Sequence, residues 1–178
     1  MHPILALVGP SGSGKTTILN ELHRRHPNKT VFIRTLTSRP FRGPEDEQCY
    51  IQTSKQDILE MQERGEIFQI LPYANHLYAT RRADLRTWLM QGVGLMALVD
   101  DAVDLYRSEF ELVVVKIRPT GQWSNRDSIR AAADLKRDEI DIRPDLVIEN
   151  FFDPSHPDVG LMAVVDQIEQ HLVALHVL

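Results

Sequence analysis

Apolar residues fall along this chain in short, nearly unbroken runs, with stretches of helical spacing between them. Residues 4–8, Ile-Leu-Ala-Leu-Val, carry no polar side chain, and 95–99, 112–117 and 146–148 are similar. A strand with one wet face alternates apolar with polar, whereas a continuous run marks a strand covered on both faces. Residues 31–33 read as another strand. Ile18, Leu19 and Leu22 recur at helical spacing within 16–25, and Pro27 ends that helix. Helical patterns also cover about 82–91, which Gly92 stops, 102–109, 126–139 and 159–175. Ser54 and Asp57 form a capping box that opens a helix to about residue 64, with Gly65 as its stop. Residues 67–71 are strand-like, and Asn75-His76 turns the chain before Leu77-Tyr78. Residues 35–50 are rich in Arg, Pro, Gly and acid and read as a long functional loop.

Buried strands alternating with helices predict an α/β fold with a parallel central sheet between two helical layers. One domain spans residues 1–178. Its core is about 1–34 and 81–178, a small acceptor-binding lobe is inserted at about 35–80, and a short lid lies at about 118–126.

Composition narrows the function. The chain has 178 residues, 43% hydrophobic and 25% charged, which suits one folded domain rather than a disordered one. Its formal net charge of −5 disfavours general nucleic-acid binding. An acidic protein that binds anionic phosphates must gather its positive charge locally, so clustered arginines carry more information than the total. The single cysteine, Cys49, excludes an internal disulfide and fits a reducing, cytoplasmic setting, where it reads as an ordinary partly buried thiol. The apolar run 4–8 is too short for a signal-peptide core, and no segment approaches the ~20 apolar residues that span a bilayer. No membrane partner is expected. Oligomeric state is left open.

The first chemistry follows the first strand. Gly9, Pro10, Ser11, Gly12, Ser13, Gly14, Lys15 and Thr16 complete the P-loop pattern G-x-x-x-x-G-K-[ST], with a strand before and a helix after. The glycines let the backbone wrap a phosphate, and loop N–H groups together with the helix N-terminus point at the anion. Lys15 reaches the β- and γ-phosphates, and the Thr16 hydroxyl suits Mg²⁺. Thr17 completes the ATP-binding set. The predicted architecture is therefore that of a P-loop NTPase.

The next segment concerns what is phosphorylated. Thr35-Leu36-Thr37-Ser38-Arg39-Pro40-Phe41-Arg42 leads to Gly43, Glu45 and Tyr50. Gly65-Glu66-Ile67-Phe68-Gln69 is followed by Asn75-His76-Leu77-Tyr78-Ala79-Thr80. Order and spacing resemble the guanylate kinase family across roughly the first hundred residues. Its substrate stretch reads S-x-T-T-R-x-P-R-x-G-E, and its later motifs read G-E-F-x-E and G-N-x-Y-G-[ST]. The resemblance implies that Thr35, Arg39, Arg42, Tyr50, Gln69, Tyr78 and Thr80 bind a monophosphate acceptor. The chemistry agrees, because Arg binds phosphate with a planar fork and Tyr donates a hydroxyl.

Several residues depart from that pattern. Gln69 stands where the family carries the Glu that reads guanine, and Leu98 where another acid is expected near the base. Gln accepts with one atom and donates with the other, so one contact to guanine is lost. Ala79 replaces a glycine. Asp100, at the end of an apolar strand, suits the Mg²⁺ shell; Asp101 competes for that role, and capping of the helix at 102–109 is the structural alternative. The lid reads as shortened, since residues 118–125 pass almost directly into a helix. Arg126 and Arg130, four apart, are the candidates for charge on the transferring phosphoryl group, while Arg137 reads equally as a surface charge and Trp123 as cover or packing. The expected activity moves the ATP γ-phosphoryl to a small phosphorylated acceptor, most simply a nucleoside monophosphate. A phosphorylated sugar, or a non-catalytic binding module of this family, is the alternative.

Overall fold

The computed structural model describes the chain apart from residues 45, 74, 122–139 and 153–156. Five parallel strands make the main sheet, in the order β2-β7-β1-β8-β9. They are β1 (Ile4–Val8), β2 (Thr30–Phe32), β7 (Val93–Ala97), β8 (Leu112–Gly121) and β9 (Leu146–Phe152). Alternate residues of β1 enter two different cores, which is why the run has no polar position. Leu5 and Leu7 pack with α1 (Lys15–Arg25) and the last helix, α6 (Pro157–Ala174). Ile4, Ala6 and Val8 pack with α4 (Arg82–Leu89) and α5 (Val103–Glu109). The result is the three-layer α/β/α arrangement.

The second sheet has the order β4-β3-β6-β5. Its strands are β3 (Thr35–Thr37), β4 (Tyr50–Gln52), β5 (Ile67–Tyr73) and β6 (His76–Arg81). Helix α3 (Lys55–Glu63) covers it through Ile58, which packs with Leu36 and Ala79. The capping box at its start is formed in full, the Ser54 hydroxyl accepting from the Asp57 N–H and the Asp57 carboxylate from the Ser54 N–H. Gly65 follows with φ +72°, the left-handed stop that its position demands.

Three expectations need correction. Residues 35–50 are not one loop: they begin with β3, contain the short helix α2 (Asp46–Cys49) and end at the first residue of β4. Three-residue strands are too short to show a hydrophobic period, and the Pro and Gly between them dominate the pattern. Residues 118–121 belong to β8 and pair with 149–152 of β9, so they are strand rather than lid. Strand β7 begins at Val93 and closes at Ala97, two residues earlier at each end than the apolar run. The helix expected at 126–139 lies outside the described residues.

Candidate active site

The phosphate loop joins β1 to α1, and close packing dictates its glycines. Gly9 has φ +148°, and a Cβ there would meet the Ile117 carbonyl oxygen of β8 at 2.4 Å. Gly14 caps α1 in the left-handed region at φ 89°, without a side-chain cap, so the first N–H groups of the helix remain open to an anion. The Lys15 ammonium folds across the loop and donates to the carbonyls of Gly9 (2.6 Å) and Pro10 (2.7 Å), with the Ser13 hydroxyl at 3.3 Å. Ser13 is fully buried, and its carbonyl accepts from the buried Asn150 amide of β9 at 3.0 Å. Asn150 thus ties the last strand to the loop. Sequence reading missed it, since an Asn inside an apolar strand carries no motif.

Gly9, Ser11, Gly12, Gly14, Lys15, Thr16 and Thr17 form one end of a cavity of about 420 Å³. Its other end belongs to the second sheet. Thr35, Arg39, Arg42, Tyr50, Gln69, Tyr78 and Thr80 all reach its wall, so seven residues spread over 46 positions meet in one space with the phosphate loop. Four elements deliver them: β3 and the turn after it, β4, β5 and β6.

Arg39 is the best-held of these side chains. It is 5% exposed and contacted from four directions. Its Nε donates to the Tyr78 hydroxyl (3.1 Å), Nη1 to the Pro40 carbonyl (2.9 Å) and Nη2 to Asp46 Oδ2 (2.9 Å). The Tyr50 ring lies 5.3 Å from its guanidinium carbon. Burial opposes the charge, but the bonds to Asp46 and Tyr78 outweigh it and hold the guanidinium protonated above its usual range. Arg42 is exposed, and its backbone N–H donates to the same Asp46 oxygen at 2.8 Å. Asp46 therefore organises both arginines from the cavity wall. Its position in an acid-rich stretch was visible in the sequence; its partners were not. Burial, followed by the neighbouring Cys49, Tyr78 and Asp46, pushes the Tyr50 phenol up to about 12.

The far wall is mostly apolar. Leu71, Tyr73, Met96, Ala97, Leu98 and Val99 line it beside Gln69 and Thr80, which are register partners on β5 and β6. Gln69 is buried, as is Leu98, which packs with Val8 and Ile33. The Thr80 hydroxyl accepts from the buried Tyr106 of α5 at 2.8 Å, fastening the small lobe to the main core. Ala79 lies in an ordinary strand without positive φ, so a glycine is not needed there.

Asp100 opens a 3₁₀ turn just beyond the wall, buried, with its carboxylate 3.7 Å from the Lys116 ammonium of β8. Neither Asp100 nor the exposed Asp101 caps a helix: Val99 precedes the turn and Ala102 precedes α5, both without side-chain caps. Among the described residues, no three acidic, His or Cys side chains gather into a metal site. Thr16 and Asp100 are hard oxygen donors, a small set that suits Mg²⁺ held mainly by phosphate and water. Arg126, Arg130, Arg137 and Trp123 lie outside the described residues, as does Glu45.

Cys49 is a buried free thiol in the main core, and burial pushes it up to about 12. No helix among the described residues is long and apolar enough to cross a membrane.

The family model described as guanylate kinase matches residues 1–145. A guanylate kinase of Synechococcus sp. (strain JA-3-3Ab) is 30% identical over 164 residues, covering 83% of this chain and 75% of its own. One of Thermotoga maritima is 27% identical over 143 residues, or 79% of this chain and 69% of its own. The crystal structure of guanylate kinase from Anaplasma phagocytophilum superposes with a TM-score of 0.68 over 97% of this chain and 85% of its own. At 21% identity that likeness speaks to the fold.

Proposed function

The chain belongs to the guanylate kinase family, which makes it a nucleoside monophosphate kinase, and we propose that it transfers the ATP γ-phosphoryl to a monophosphate acceptor without favouring GMP. The observation that carries this reading is the single cavity, with the phosphate loop at one end and the Arg39, Arg42, Tyr50 and Tyr78 cluster at the other. ATP lays its phosphates over the loop N–H groups and Lys15. The acceptor phosphate sits between the arginines and tyrosines. An acceptor oxygen then forms a bond to the γ-phosphorus while the bond to the β–γ bridging oxygen breaks, and ADP leaves. Positioning and charge stabilisation supply the acceleration, and no covalent intermediate on the protein is needed.

Thr16 and, through its carboxylate, Asp100 are the residues proposed to hold Mg²⁺, which would neutralise charge on the β- and γ-phosphates. Arg126 and Arg130 are proposed to neutralise the transferring group. The cytoplasm is the proposed setting, on the strength of the one buried thiol.

The far wall bears on the acceptor. A sugar needs hydrogen-bonding partners for its hydroxyls, whereas Leu71, Met96, Leu98 and Val99 offer an apolar slot. A flat base fits such walls better, so the nucleotide reading stands ahead of the phosphorylated sugar. Guanine offers adjacent donors at N1 and N2. Gln69 can serve N1–H with its oxygen and O6 with its nitrogen, and Leu98 offers the amino group nothing. A polar group left unpaired in a closed site costs about 1–3 kcal/mol. GMP should therefore be roughly ten- to a hundredfold poorer than in an enzyme with both acids.

A coupled assay of ADP release tests the proposal, run with GMP, AMP, CMP, UMP and a sugar phosphate. ADP release that depends on a nucleoside monophosphate other than GMP is the expected result. Release stimulated best by GMP, only by the sugar phosphate, or by no acceptor would overturn it.

A further inference from the structure

Asp46 is an anion on the wall of a site built to take an anion. Simple electrostatics makes it a liability: it lies among the groups proposed to bind phosphate and should repel one. Its contacts point the other way. One oxygen, Oδ2, accepts from both Arg39 Nη2 (2.9 Å) and the Arg42 backbone N–H (2.8 Å). The pair with Arg39 is almost fully enclosed, the two side chains being 7% and 9% exposed. Asp46 sits at the first position of α2, and its own N–H donates to the carbonyl of Gly43, the residue after Arg42.

We propose that Asp46 is a positioning residue for the acceptor phosphate: it fixes the Arg39 guanidinium and the Arg42 turn so that both arginines converge on one anion. This rests on the acceptor-site assignment above and adds to it the residue that shapes the site. A guanidinium has five N–H groups. Tyr78, Pro40 and Asp46 each take one, leaving one hydrogen on each terminal nitrogen for the ligand. With the Tyr50 ring covering its face, Arg39 has little rotational freedom left to lose when the phosphate binds. Fixing a donor beforehand strengthens binding because the ligand no longer has to order it. Released from Asp46, the guanidinium swings away and the 40–44 turn loses the oxygen that holds the Arg42 N–H.

The two accounts predict opposite signs for Asp46→Asn. Loss of a repelling charge tightens phosphate binding; loss of positioning weakens it. The measurement is calorimetric titration of inorganic phosphate with a non-hydrolysable ATP analogue saturating the phosphate loop, so that only the acceptor end is available. Alongside it, analogue affinity and thermal midpoint are measured for parent and variant. Positioning predicts phosphate affinity at least tenfold weaker in Asp46→Asn, with analogue affinity unchanged. In turnover assays the acceptor KM rises while the ATP KM stays at the parental value. Equal or tighter phosphate binding overturns the inference while leaving the acceptor site standing. Equal losses of phosphate and analogue binding also overturn it, since they indicate general damage to the fold. A parent that binds no phosphate under these conditions overturns the acceptor-site assignment and the inference with it. Should Asp46→Asn not fold, Asp46→Glu keeps the charge but moves the carboxylate by one methylene. Phosphate binding weakened severalfold then supports positioning, and parental binding contradicts it.

Discussion

The two ends of the cavity are built on different principles. The end proposed for ATP comes from consecutive residues, 9–17, and presents backbone: N–H groups, a helix N-terminus, and a lysine whose ammonium rests on the loop's own carbonyls. The end proposed for the acceptor draws on four elements and presents side chains, with a buried ion pair at its centre. A backbone site tolerates sequence change wherever φ and space allow. A side-chain site changes its ligand when one residue changes. The departures expected from the family pattern include Gln69 and Leu98 beside the proposed acceptor, while every fixed position of the loop pattern is present.

Substitutions at the two ends should separate cleanly. The largest effect is expected from Lys15→Ala, which removes the one charged side chain among residues 9–17. Turnover should fall at least about a hundredfold. Binding of the ATP analogue should be lost while the thermal midpoint stays near parental, because Lys15 faces the cavity and not the core. Parental analogue affinity in this variant would show that the loop is not the ATP site.

Arg39→Ala should come next, and it differs from Arg42→Ala in kind. Truncating Arg39 leaves the Asp46 charge buried without its partner, a cost of about 3–5 kcal/mol. In a chain of this size that lowers the melting temperature by roughly 10 °C, in addition to weakening the acceptor. Arg42 is exposed, so Arg42→Ala should weaken the acceptor about tenfold at unchanged melting temperature. Equal melting temperatures for both variants would mean that the Arg39–Asp46 pair does not support the lobe.

A smaller effect concerns the base. Gln69→Glu combined with Leu98→Asp restores two acceptors on the far wall. The GMP-to-AMP ratio of kcat/KM should rise about tenfold or more. An unchanged ratio would mean that other groups read the base.

The smallest effect is alkaline. Tyr50 and Cys49, side by side at the α2–β4 junction, are both pushed up to about 12 by burial, from reference values of 10.0 and 9.0. Both are neutral when protonated, and their folded pKa is the higher one. Their contribution to stability is therefore intact below pH 9 and lost as pH rises from 9 towards 12. The urea midpoint should fall by an amount equivalent to about 2 kcal/mol by pH 10, and by less in Tyr50→Phe. Parallel pH profiles for parent and Tyr50→Phe would contradict the assignment for the phenol.

The same contrast between the two ends explains what the sequence disclosed. The loop's place and geometry were legible because its pattern is local: Gly9, Gly14, Lys15 and Thr16 fall within eight residues between β1 and α1. The central sheet was legible because β1 buries both faces and so shows an unbroken apolar run. The residues proposed for the acceptor were assigned through a resemblance, since nothing in the spacing of Arg39, Gln69 and Thr80 brings them to one cavity. β3 and β4 were hidden because three residues carry no period. Asp46 and Asn150 were missed because a buried polar residue is defined by its partners, and those lie 4 to 137 positions away. The lid's first residues were misplaced because Pro119 and Gly121 look like a loop, yet they continue β8 along β9 at the end of the sheet.

The central claim is that one cavity holds two ligands at two separately built ends, and crossed titrations test it most directly. The non-hydrolysable ATP analogue is titrated into Arg42→Ala, and AMP and CMP, with Mg²⁺ present, into Lys15→Ala. The account predicts that Arg42→Ala binds the analogue as the parent does and loses about tenfold in monophosphate affinity, while Lys15→Ala loses the analogue and keeps the monophosphate. If either variant weakened both ligands equally, the two ends would be one site and the account would be contradicted.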